Sequence, residues 1–193
     1  MGGIFKNIGV ELVTVNTKDE LNRLIEKTIE KEGPNCDLNF IDVSKITDMS
    51  DLFVYSGFNG DISNWDVSNV DDMRYMFAYS EFNGDISSWD VSNVKDMSDM
   101  FYSSKFNSDI SKWNVSKVED MGWMFAYSKF NGDISGWDVS NVKNMSYMFR
   151  DSRFSQDISD WNVSKIPPKN MNDMFKNSGL DGVGKFPKWY SNL

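Results

Sequence analysis

The sequence predicts an α/β repeat, a solenoid of six 24-residue coils behind an N-terminal strand–helix cap. Two observations predict it. Trp65, Trp89, Trp113, Trp137 and Trp161 recur every 24 residues, with Ile41 in the same slot one period earlier. The same step carries Asp37, Asp61, Asp85, Asp109, Asp133 and Asp157. A unit this short cannot bury its apolar face alone, so the copies must stack.

Residues 1–36 read as the cap. Residues 11–15, Glu11-Leu12-Val13-Thr14-Val15, suit a strand. Thr17-Lys18-Asp19-Glu20 has capping-box spacing, with Thr17 as N-cap and Glu20 three residues on. A helix over about 18–32 follows, with Leu21, Leu24, Ile25 and Ile29 on one face. Gly33-Pro34 stops it. That face should lie over the first coil.

The solenoid spans 37–180. A typical copy, residues 85–108, reads DISSWDVSNVKDMSDMFYSSKFNS. Ile86, Trp89 and Val91 have the L-x-x-L-x-L spacing of a leucine-rich-repeat strand, and alternation at Trp89 and Val91 points one face inward. Val94, Met97, Met100 and Phe101 have the spacing of a short helix or 3₁₀ turn. Asp96 suits the start of that turn. Phe-Asn-Gly, as in Phe82-Asn83-Gly84 and Phe130-Asn131-Gly132, turns the chain back, with glycine supplying positive φ. Pro167 and Pro168 are an insertion in the last copy. Residues 181–193 form a C-terminal cap or tail, with Val183, Phe186, Trp189 and Tyr190 over the last coil.

Composition excludes several chemistries. There is no His, which removes imidazole bases and ligands, and a single Cys, which removes intrachain disulfides and Cys-rich metal sites. Cys36 reads as a small buried residue. A net charge of −9 opposes a phosphate-backbone partner. No apolar run has the length of a signal-peptide core or membrane span. Every Met except Met1 falls in a repeat slot, so the Met excess is a packed core and not a cofactor site. A repetitive chain offers no unique catalytic constellation. The expectation is a non-enzyme without cofactor.

The DISxWDVSNVxDMxxMFxxSxFNG repeat resembles the BspA-like leucine-rich-repeat surface proteins of bacteria. The stretch from Thr17 to Phe53 is similar to the lead-in of that family. The resemblance implies a right-handed leucine-rich-repeat-type solenoid with a binding or adhesive role, usually at a cell surface. No export signal or anchor is visible in the sequence, so cytoplasmic or virion-associated locations stay open beside the surface one. The expected partner is a protein, either a host protein or a second copy, with homo-oligomers open; neither nucleic acid nor membrane insertion is expected. A self-associating structural component, such as a phage virion decoration or assembly protein, is the alternative. An acidic nucleic-acid mimic is a third reading.

Three surfaces are candidates. Asp61, Asp85, Asp109, Asp133 and Asp157 form a carboxylate ladder that either caps turns or, as the weaker alternative, binds calcium. Asp66, Asp90, Asn114, Asp138 and Asn162 lie on the outward strand face, where leucine-rich repeats usually bind ligand. The third surface is preferred. Two slots on the outer helical side vary between copies and hold Tyr75, Tyr79, Trp123, Tyr127 and Tyr147. Tyr and Trp are typical interface anchors.

Overall fold

The computed structural model describes residues 12–191. Glu11 of the expected first strand, and the start read for an export signal, lie outside the described residues. Strand β1 (Val13–Thr14) precedes helix α1 (Lys18–Glu32) and strand β2 (Ile41–Asp42). The Thr17 hydroxyl accepts the Glu20 amide at 3.2 Å, and the Glu20 carboxylate accepts the Asn16 amide at 2.8 Å. Gly33, at φ 89°, caps the other end and donates its amide to Ile29. Leu21 and Ile25 are buried, and Leu24 and Ile29 pack partly against the same core. β1 pairs in parallel with β2, Val13 opposite Ile41.

From Asp37 onward each copy hydrogen-bonds to the next. Met73, Tyr75, Phe77 and Tyr79 donate their amides to the carbonyls of Asp96, Ser98, Met100 and Tyr102, at 2.7–3.1 Å. Met97, Asp99, Phe101 and Ser103 repeat this toward Asp120, Gly122, Met124 and Ala126. The amides between them close turns within their own copy, as Met76 does on Met73 and Ala78 on Tyr75.

This ladder corrects the expected division of each copy. The expected helical turn after Val94 is where the copies join. A single helical turn would leave its terminal amides and carbonyls without partners, whereas stacking pairs alternate ones across copies. The backbone is interrupted by positive φ at Asp99 (58°) and Ser103 (53°), which no α-helix tolerates. The expected strand at Trp89–Val91 does not form either. The Asp90 carboxylate takes the Ser92 amide at 3.0 Å, and the Val94 amide takes the Val91 carbonyl at 3.0 Å. Amides satisfied inside a copy have nothing left for a ladder. Only in the first copy, where β1 lies alongside, does this segment become a strand, β2.

The glycines are a second correction. Gly60, Gly84 and Gly132 do not take positive φ; among described glycines only Gly33 and Gly184 do. Close approach requires glycine at Gly60, whereas the same slot holds Ser108 and Gln156 in other copies. A Cβ on Gly60 would sit 1.9 Å from the Cys36 carbonyl oxygen, and one on Gly84 would sit 2.8 Å from the Phe82 ring.

The core is one continuous cluster from Val15 to Leu180. Phe53, Phe77, Phe101, Phe125, Phe149 and Phe175 stack with centroids 5.4–5.8 Å apart and planes within 2–4°. Each repeat Trp donates its indole N–H to a carbonyl of the copy before, as Trp89 does to Ile62 at 3.1 Å. At the C-terminal end the short helix α2 (Lys188–Ser191) carries Trp189, whose indole donates to Ile158 at 3.2 Å. Tyr190 meets Phe175 edge-on at 4.9 Å. Val183 does not join this cap: it is exposed, because it lies on a 3₁₀ turn (Asp181–Val183) with no buried residue.

Candidate functional site

The copy at 85–108 carries the D-x-S motif three times, as Asp85-Ile86-Ser87, Asp90-Val91-Ser92 and Asp96-Met97-Ser98, and every other copy carries it once or twice. In each, the first carboxylate accepts the amide two residues on, an Asx turn. Asp61, Asp85, Asp109, Asp133 and Asp157 each accept the amide of the following Ser at 2.9 Å. These hydrogen bonds hold their carboxyls below the usual range. The carboxylates are turn caps, and among the described residues no group of three Asp, Glu or Cys converges to hold a metal ion. Asp66, Asp90, Asn114, Asp138 and Asn162 are exposed and cap Ser68, Ser92, Ser116, Ser140 and Ser164 in the same way, at 3.0–3.3 Å. Asp96, read as a helix start, caps the Ser98 amide at 2.9 Å.

The aromatic candidates come together on one side. Tyr55 and Tyr79 stack at 4.4 Å, and Tyr102 meets Tyr79 edge-on at 5.1 Å. Tyr102 then meets Trp123 at 6.0 Å and Tyr127 at 5.5 Å, and Trp123 stacks on Tyr147 at 4.1 Å. Tyr55 is 73% exposed, and Tyr75, Tyr79 and Tyr127 are 41–45% exposed. Trp123, Tyr102 and Tyr147 are half-buried by their neighbours. The column crosses five copies, about 20 Å at a β spacing.

Its backbone is the unusual part. Among the described residues, twelve that are not glycine have positive φ, two per copy. Six are Asp, Asn or Ser: Asp51, Asp99, Ser103, Asp151, Asp173 and Asn177. The other six are Tyr55, Tyr75, Tyr79, Trp123, Tyr127 and Tyr147. Asn and Asp adopt this conformation readily, whereas bulky side chains rarely do.

Tyr75, Tyr79, Asp99, Tyr102 and Trp123 line a shallow cleft of about 310 Å³. Burial pushes the Asp99 carboxyl up to about 6, and a hydrogen bond with Tyr75 opposes this in part. Burial and Asp99 raise the Tyr75 hydroxyl in turn. Further along, the Arg150 guanidinium lies over the Tyr147 ring at 5.6 Å and pairs with Asp151 at 3.1 Å and Asp173 at 2.6 Å. The site-residue reading of the sequence omitted Tyr55, Tyr102, Asp99 and Arg150. Tyr102 and Arg150 share a slot with Val54, Ala78, Ala126 and Lys176, and that variation was the available signal.

Two overlapping stretches, residues 20–129 and 102–182, match the model of the family described as Mycoplasma protein of unknown function, DUF285. The chain belongs to this family. The DUF285 stretches take in most of α1 and all six copies, so the matched region is a repeat protein. No curated protein and no solved structure matches the chain. Among the described residues no helix is long and apolar enough to cross a membrane.

Proposed function

We propose that the chain is a right-handed solenoid of the leucine-rich-repeat type, akin to BspA-like surface proteins. It acts as a non-enzymatic protein-recognition module through the aromatic column from Tyr55 to Tyr147. One observation carries this reading: six aromatic residues sit in left-handed backbone where Asp, Asn or Ser serves the equivalent slots. That conformation costs roughly 1–2 kcal/mol per residue. The rings gain little burial in return, since four of them are exposed. Strain kept on a surface, where the rings pack on one another and not into the core, marks a place where the side chain itself is needed. Exposed Tyr and Trp on a rigid backbone are what a protein interface uses as anchors.

The test compares three purified chains on immobilised surface-protein ectodomains, with light scattering to follow self-association. One is unaltered, one carries Trp123→Asn and Tyr127→Asn, and one carries Asp66→Asn, Asp90→Asn and Asp138→Asn. Asn suits positive φ, so the second chain keeps its fold. Loss of binding, or of self-association, confined to the second chain is expected. Equal binding by the first two chains, or loss confined to the third, overturns the reading.

A further inference from the structure

Asp173 and Asp99 occupy the same slot of the repeat, in the sixth and third copies. Both have positive φ, and each follows the residue whose carbonyl or amide joins the ladder in the same register: Tyr147 donates to the Asn172 carbonyl as Tyr75 does to that of Ser98. Each also follows an aromatic residue one copy earlier, Tyr147 before Asp173 and Tyr75 before Asp99. The surroundings then diverge. Asp173 receives two cations from its own chain, Arg150 at 2.6 Å and Lys176 at 3.2 Å. The residues in those two slots around Asp99 are Ala78 and Tyr102. No cation is among the groups that set the Asp99 carboxyl; its charged neighbours there are Asp96 and Asp120.

Arg150 thus displays how this surface holds a guanidinium, with the plane over a tyrosine ring and its N–H groups on carboxylates. Around Asp99 the same aromatic–carboxylate pair exists, the cleft is open, and the cation is missing. Lys95, the nearest in sequence, pairs with Asp71 at 3.1 Å, and Arg74, next to Tyr75, is engaged by Asp72 at 2.6 Å and lies 3.9 Å from Asp96.

We propose that the cleft formed by Tyr75, Tyr79, Asp99, Tyr102 and Trp123 binds an arginine side chain presented by a protein partner. The guanidinium enters the open cleft, pairs with the Asp99 carboxylate and lies against the surrounding rings. This deepens the recognition reading and rests on it. A chain of net charge −9 favours a basic partner segment on approach. The shape of the cleft favours guanidinium over ammonium, since a planar ion can lie on a ring face while still reaching a carboxylate.

Trp123 makes the test selective. The indole N–H groups of the other six tryptophans donate to backbone carbonyls of the repeat. In a ¹⁵N–¹H spectrum only the Trp123 indole should respond at this site. The probe is acetyl-Gly-Arg-Gly-amide, against the same peptide with citrulline, which keeps the shape and removes the charge. Phosphocholine serves as a quaternary-ammonium comparison. Expected is a saturable shift of the Trp123 indole with the arginine peptide, at least about tenfold weaker in Asp99→Asn and with citrulline. Asn keeps the backbone conformation at 99, and the unmoved resonances of the other tryptophans report that the fold is intact. Absent binding, equal binding by citrulline, an unaffected Asp99→Asn chain, or tighter binding of phosphocholine each overturns the proposal. If it falls while Trp123→Asn with Tyr127→Asn still abolishes partner binding, the recognition reading survives without it.

Discussion

Two columns of aromatic rings run along the repeat, one inside and one outside. The inner one is the Phe53-to-Phe175 stack, whose planes stay within 2–4°. The outer one, Tyr55 to Tyr147, mixes stacked and edge-on pairs with interplanar angles of 10–66°. The inner column accepts one residue in one orientation, because each ring is the packing surface for the next and no space is left over. The outer column meets solvent on one side, so its residues can differ from copy to copy. Repetition therefore marks what stability demands, and departure from repetition marks where function can be written.

The largest effect should come from breaking the inner column. Phe101 is fully buried between Phe77 and Phe125, so Phe101→Ala should cost about 3–5 kcal/mol in a urea titration. A change under about 1 kcal/mol would mean that the copies are not packed through this column. Next is the indole staple. Trp113→Phe removes the donor to the buried Ile86 carbonyl and should cost roughly 1–3 kcal/mol by the same measurement.

Asp99 should behave oppositely to the turn-capping carboxylates as pH changes. Its folded value, about 6, stands above the unfolded value, so stability falls as pH rises from about 4 to 6. Asp85 and Asp90 have lowered values, so their contribution is present above about 4 and is lost as pH falls through the folded values. Thermal melts should therefore peak between these limbs. Asp99→Asn should remove the upper limb, gaining on the order of 1 kcal/mol at pH 7 and nothing at pH 4. A parallel offset at both values would assign the gain elsewhere.

On the outer column, Tyr127→Asn should leave stability within about 0.5 kcal/mol or raise it, because relieved backbone strain offsets the lost ring contact. The contrast with Phe101→Ala sharpens the comparison: one ring is required by the fold, the other only by what it meets. The smallest effect is expected from calcium. With the Asp61-to-Asp157 carboxylates already accepting amides, millimolar calcium should not shift the melting temperature by more than about 1 °C.

The period and the core slots were legible because apolar burial depends on residue type and spacing, both of which the sequence states. Ile86, Trp89, Val91, Val94, Met97, Met100, Phe101 and Phe106 are all buried. The helix at Thr17-to-Gly33 was legible for a similar reason: its caps act within four residues. The local path inside each copy was not. Val94-to-Phe101 has helical spacing, yet Met97, Asp99 and Phe101 give their amides to the next copy, a competition that no local pattern expresses. Nor could the sequence place positive φ on Tyr75 or Trp123, since propensity points to glycine there.

The sequence by itself determined the repeat, its length and which side chains face inward, because these follow from a hydrophobic pattern reiterated until only stacking can bury it. Tertiary structure decided where the backbone bonds cross between copies. It also decided which varied residues meet. Tyr75, Asp99, Tyr102 and Trp123 belong to three successive copies and two different slots, and they form one cleft only because stacking sets those copies side by side. Local chemistry is written along the chain. A site shared between coils exists only once long-range hydrogen bonds have set their register.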